Sequence, residues 1–157
     1  IPIDSISISR ISHPKDRFKS GQELYAVVKS VEPSGRITLS HKELLGNWEE
    51  NASDFNIGET VCGVVRSVEQ YGIFVELTPN LAGLAEYKPD VYIGQSASVY
   101  IKNLIPEKMK IKLIIVDSFD SSCEKMPIHY YITKGHIDRW NYSPQNCFKN
   151  IETVFDE

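Results

Sequence analysis

The chain has 157 residues, 41% of them hydrophobic, with 17 Lys/Arg against 21 Asp/Glu and a formal net charge of −4. That apolar content excludes wholesale disorder, and no run approaches the ~20 consecutive apolar residues of a membrane span. The charge is spread evenly, seven Lys/Arg against eight Asp/Glu in 1–57, six against seven in 58–117 and four against six in 118–157, so strong nonspecific binding to duplex DNA is disfavoured and any nucleic-acid site must be a local patch.

The opening, IPIDSISISR, lacks the charged-then-apolar pattern of a secretory signal, and a cytoplasmic, non-membrane protein is expected. Its first residue is Ile, which hints at a fragment or a processed product. Cys62, Cys123 and Cys147 are odd in number and widely spaced, so three reduced thiols are expected.

In chain order, GQELYAVVKSVEPSGRITLS from Gly21 reads as two strands around a Pro-Ser-Gly turn. HKELLGNWEENASDFNIG follows, polar and helix-tolerant, with Leu44, Leu45, Trp48 and Phe55 available to pack; one or two short helices are expected there. From Gly58 to Asp117 five short β-branched runs follow one another: ETVCGVVRSVE, GIFVEL, LAGLAE, SASVYIKNLI and KIKLIIV. Val99 and Ile101 alternate with Tyr100 and Lys102, and Ile111, Leu113 and Ile115 alternate with Lys110, Lys112 and Ile114, so one face goes inward and the lysines point out. Five such strands in about 60 residues suit a small closed barrel of the oligonucleotide/oligosaccharide-binding (OB) kind. Beyond them SFDSSCEKMP reads as a loop, IHYYITKGHIDRWNY as a hairpin around Thr-Lys-Gly, and SPQNCFKNIETVF as a C-terminal helix capped by Ser143 with Pro144 in its first turn.

The segment from Gly21 also parallels GQSASVYIKNLIPEKMKIKL: each has Gly-Gln, a long strand, a Pro-containing turn and a second strand opening on a basic residue, Arg36 or Lys110. Only about twenty residues precede the first copy, so the first unit reads as half a barrel. Trp140 and Tyr142 alternate with Arg139 and Asn141, giving the tail an aromatic face; covering an exposed barrel edge is the obvious use of it, and packing on the half barrel, in place of the strands it lacks, the sharper one.

Chemistry-bearing motifs are sparse. No nucleophile elbow, phosphate loop or metalloprotease helix appears, carboxylates are scattered singly, and no catalytic residue or enzyme activity is expected. Cys123, His129, His136 and Cys147 match no compact metal-ligand spacing, so no metal and no cofactor is expected. His13 and His41 are expected at the surface or at caps. The informative stretch is EQYGIFVELTPNLAGLAE, where Tyr71 and Phe74 flank Gly72 and Ile73. Gly72 permits a backbone irregularity that lets both rings share a face, which strict alternation forbids.

IGETVCGVVRSVEQYGIFVELTPNLAGLAE followed by IGQSASVYIKNLIPEKMKIKL resembles the RNA-binding domain repeated in bacterial ribosomal protein S-one, and HPKDRFKSGQELYAVVKSVEPSGRITLSHKEL resembles the second half of such a domain. The resemblance covers roughly residues 12–117. It implies an incomplete OB domain over 1–43, a helical linker over 44–57 and a complete OB domain over 58–117, with 118–157 as an appendage matching no part of the family. It further implies noncatalytic binding of single-stranded RNA, in translation and at the ribosome, with Tyr71 and Phe74 stacking bases. Lys102, Lys110 and Lys112 would meet phosphates, with Lys108 on the same basic rim and Arg36 acting likewise in an intact first domain. Where the family often has His, Asp and Arg, this chain has Glu86, Pro106 and Lys110. A carboxylate at 86 would repel phosphate, so docking on the ribosome or another protein through the same, degenerate face is the rival expectation.

Overall fold

The computed structural model describes residues 1–120 and 128–155. The strands are β1 (Val27–Val31), β2 (Ile37–Ser40), β3 (Thr60–Glu69), β4 (Gly72–Thr78), β5 (Leu81–Ala85), β6 (Ser96–Ile105), β7 (Lys110–Phe119), β8 (Arg139–Asn141) and β9 (Glu152–Val154), with one α-helix, α1 (Trp48–Ala52). The fold is mainly β, and β3-β4-β5-β7-β6 close into a barrel. All five runs read between Gly58 and Asp117 are strands of that barrel. No helix among the described residues is long and apolar enough to cross a membrane.

Alternation explains the closure. Val99 and Ile101 on β6 and Ile111, Leu113 and Ile115 on β7 are buried, while Tyr100, Lys102, Lys110, Lys112 and Ile114 face out. Ile73 and Val75 on β4, Val65 on β3 and Leu81 on β5 complete the interior at 0% exposure. Each buried aliphatic side chain of this size is worth about 1.5–3 kcal/mol. Two irregularities help a short sheet curl: the β3–β4 register shifts around Arg66, and the β6–β7 register shifts around Lys102. The closing seam is the parallel pair of β5 and β7, at Leu84–Lys112 and Ala85–Leu113. Gly83 stands there because a Cβ would come within 2.6 Å of Leu113 Cδ1.

Upstream, β1 and β2 form an antiparallel two-stranded sheet that pairs with no other strand among the described residues. The two Gly-Gln turns have the same hydrogen bonds: Lys19 N–H donates to Gln22 Oε1 and Tyr92 N–H to Gln95 Oε1, at 3.0 and 2.8 Å, with Gln22 and Gln95 N–H returning to the carbonyls of Lys19 and Tyr92. Between β2 and β3, a 3-10 turn (Lys42–Leu44) precedes α1, whose Asn47 and Glu50 make a capping box. Leu44, Leu45 and Trp48 are buried and Phe55 is half-buried.

Asn80, in the β4–β5 turn, gathers these outer segments onto the barrel. Its Oδ1 accepts from Ile8 N–H at 3.0 Å, and its Nδ2 donates to the carbonyls of Lys42 and Gly46 at 2.8 and 2.9 Å. Its backbone carbonyl accepts from the Tyr142 hydroxyl.

The tail departs from the sequence reading in three ways. No hairpin forms around Thr-Lys-Gly. Tyr130 and Tyr131 are engaged elsewhere, the Tyr130 hydroxyl with His41 Nε2 at 2.8 Å and Tyr131 N–H with the Leu44 carbonyl at 2.8 Å. Strand β8 pairs instead with β9. The expected C-terminal helix is replaced by a loop and β9. Ser143, expected as its N-cap, accepts from Ile151 N–H at 2.7 Å and so closes the β8–β9 loop. The aromatic face of Trp140 and Tyr142 is buried in the barrel's core cluster, whereas Tyr130, which is not part of that face, meets Tyr25 and His41 of the first unit edge-on. The tail therefore touches the first unit without adding a strand to the β1–β2 sheet.

His41 stands at the N-cap of the Lys42–Leu44 turn, without a side-chain cap bond, and it is 0% exposed rather than at the surface: its Nδ1 lies 2.7 Å from the Ile6 carbonyl and its ring packs edge-on against Phe18 and Tyr130. His13, by contrast, caps a 3-10 turn through Lys15 N–H. Cys62 on β3 is disulfide-bonded and Cys147 is free, which corrects the expectation of three reduced thiols; distance along the chain does not report distance in space. Cys123 and most of the expected SFDSSCEKMP loop lie outside the described residues.

Candidate nucleic-acid interface

Residues Glu69 and Gly72 pair across the start of the β3–β4 hairpin, leaving Gln70 and Tyr71 as its tip. Tyr71 is consequently 70% exposed. Gly72 is required by close approach, since a Cβ there would sit 2.7 Å from the Ala85 carbonyl oxygen. The irregularity that brings the two rings together is thus the hairpin tip itself, held against β5 by Gly72. Phe74 projects outward from β4 between the inward Ile73 and Val75, and meets Tyr71 edge-on with ring centroids 6.2 Å apart.

Beside Tyr71 the barrel carries an open cleft of about 250 Å³. Leu84, Ala85, Ile111 and Leu113 form its apolar floor, and Tyr71, Glu86, Lys102, Lys110 and Lys112 its rim. Those three lysines come from β6 and β7, of which β7 pairs with β5. Lys112 is paired with both Leu84 and Asn103, and Lys110 with Ile105. Lys102 stands at the β6 register shift, where a bulge redirects a side chain that regular pleating would aim elsewhere. With three lysines and one glutamate, the cleft carries a local formal charge of +2 on a chain of −4.

Of the residues singled out in the sequence, Tyr71, Lys102, Lys110 and Lys112 meet at this cleft, and Phe74 adjoins it through Tyr71. Lys108 lies in the exposed 3-10 turn between β6 and β7, outside the lining. Arg36 lies in the β1–β2 turn and is likewise not part of it.

Sequence reasoning missed the group that closes the outer face of β4 on the other side of Phe74. Glu76 is buried and bridged by two guanidinium groups, Arg17 Nη1 at 2.9 Å and Arg66 Nη2 at 3.0 Å, with a further bond from Arg17 Nη2. Arg17 Nη2 also reaches Ser7 Oγ at 3.3 Å. This cluster straps the N-terminal segment over β4, so the open part of the strand face is confined to the Tyr71–Phe74 end. Glu76 pairs with Val64, and Arg66 stands at the β3 register shift, so regular strand pairing would not have brought Arg66 to it. Arg17, 59 residues from Glu76, carried no signal either. Among the described residues no group of three or more His, Cys, Asp and Glu could hold a metal ion.

No protein-family model matches the chain. It is 33% identical over 121 residues to the small ribosomal subunit protein bS1 of Chlamydia muridarum, covering 69% of this chain and 21% of that protein. It is 30% identical over 123 residues to the bS1 homolog of Bacillus cereus, covering 74% of this chain and 31% of that one. It is also 31% identical over 119 residues to the 4-hydroxy-3-methylbut-2-enyl diphosphate reductase of Fusobacterium nucleatum, covering 74% and 14% respectively. The chain thus spans about a third or less of the length of these relatives. Proteins named for the ribosome and one named for a reductase share the likeness, so the likeness follows a module rather than an activity. The likeness to the bS1 proteins supports an S1-like domain, and the fold seen here is a closed five-stranded barrel.

Proposed function

We infer that the barrel binds single-stranded RNA without catalysis, at the cleft beside Tyr71. The observation that carries this is the convergence of an exposed aromatic ring with three lysines from two other strands over an apolar floor, on an otherwise acidic chain. Stacking supplies sequence-tolerant affinity, about 1–3 kcal/mol per base. Lys102, Lys110 and Lys112 supply phosphate contacts, and three of them imply a salt slope of roughly −2. The names of the bS1 relatives support a ribosome-associated setting for such a module.

The test is fluorescence anisotropy of a labelled single-stranded RNA of about twelve nucleotides. Between 50 and 200 mM salt the affinity should fall about 20-fold. Tyr71→Ala should cost about 5- to 150-fold, and adding Phe74→Ala should cost more. Absence of binding at low salt, or binding indifferent to Tyr71, overturns the reading.

A second reading, docking on a protein, draws on a different surface. Tyr25, Val28, Val31 and Ile37 on the β1–β2 unit are each more than half exposed, an apolar surface of the kind that partners cover. That function makes no use of the cleft, so Tyr71→Ala would leave it intact.

A further inference from the structure

We propose that Glu86 makes the cleft selective for guanine, reading the Watson–Crick edge of the base that stacks on Tyr71; this rests on the RNA-binding reading above. Glu86 follows directly on β5, one residue past the Ile73–Ala85 pair, and Gly72 holds the root of Tyr71 against Ala85. The carboxylate and the ring therefore belong to the same end of the sheet and line the same cleft.

The charges are partitioned. The three lysines stand on β6 and β7, whereas Glu86 stands beyond β5 with Tyr71. A strand whose phosphates follow the lysines would turn its base toward Tyr71 and Glu86. An anionic group is repelled by phosphate but is well suited to a base edge rich in donors. Among the described residues no hydrogen bond or ion pair engages the Glu86 side chain, which is exposed.

An ionised carboxylate is acceptor-only, with two oxygens side by side. Guanine alone among the four bases offers two parallel donors on that edge, N1–H and the N2 amino group. Adenine and cytosine offer one amino donor beside an acceptor, and uracil offers one N–H between two carbonyls that the carboxylate would repel. The order of preference follows: guanine first, cytosine and adenine next, uracil last.

The experiment is the same titration with a twelve-nucleotide uridine tract and with tracts carrying one central guanosine, inosine, cytidine or adenosine. The guanosine tract should bind about five- to tenfold tighter than the uridine tract. Inosine, which lacks the N2 amino group, should lose most of that advantage. Glu86→Gln lies at an exposed position and should bind the uridine tract more tightly than the wild type, through loss of a negative charge among three lysines, while guanosine and uridine tracts become nearly equivalent. Equal binding of all tracts by the wild type, or a guanosine preference that survives Glu86→Gln, overturns the proposal and leaves RNA binding standing. No binding of any tract at low salt overturns both.

Discussion

Asn80→Ala tests how the outer segments are held to the barrel. Asn80 is 0% exposed, and its side chain serves three backbone groups from two parts of the chain: Ile8 N–H and the carbonyls of Lys42 and Gly46. Truncation leaves one donor and two acceptors without their partner. At about 1 kcal/mol for each lost bond, the cost is about 3 kcal/mol, a large part of the ~5–15 kcal/mol typical of a folded domain. Urea unfolding measures it, with the loss appearing as a lower midpoint at unchanged slope. Asn80→Asp sharpens the test. It keeps the acceptor for Ile8 but sets a carboxylate against two carbonyl oxygens, so it should lose at least as much at pH 7 and recover on acidification. Because Asn80 is not part of the cleft, RNA affinity should stay within about twofold wherever the variant is folded. A loss below about 1 kcal/mol, or an Asp variant as stable as the wild type, would refute the hub.

His41 gives a pH signature. Burial, assisted by Arg17, holds its imidazole below the ordinary value, against the opposing pull of the Ile6 carbonyl and Glu43. Its folded-state value lies below the unfolded ~6.5, so the stability tied to the neutral ring is present above that pH and is lost as pH falls below it. Urea midpoints should decline from pH 7 to pH 5, and NMR should show His41 resisting protonation through that range. Tyr142 gives the converse at high pH. Its buried hydroxyl, bonded to the Asn80 carbonyl, titrates far above the ordinary phenol. The associated stability is present below ~10 and lost above it. Absorbance titration should find one of the eight tyrosines ionising only as the protein unfolds; a fully titrated native state would contradict the burial of that ring.

The five barrel strands were legible because period-two alternation records which face is buried, and β6 and β7 show that alternation in their own residues. Tyr71, Phe74 and the lysines were legible as residue types, since an aromatic pair around glycine and an outward lysine row are both local patterns. Their meeting in one cleft was not, because it depends on the β5–β7 seam and on the register shift at Lys102, both properties of closure.

The tail and the N-terminal segment were misread or unread for one reason. Their conformation is set by partners far along the chain, with Tyr130 on His41, Tyr142 on Asn80, Thr153 on Glu43 and Arg17 on Glu76. A Ser-Pro start is a sound helix signal in isolation, yet backbone groups there found better use in β9 and in the Ser143 bond to Ile151. His41 and Cys62 teach the same lesson, since burial and covalent pairing depend on what lies across space. What the sequence determined by itself was local periodicity and side-chain chemistry. Only the tertiary structure decided which distant polar groups satisfy one another, because a buried donor or acceptor must find a partner wherever the chain can bring one.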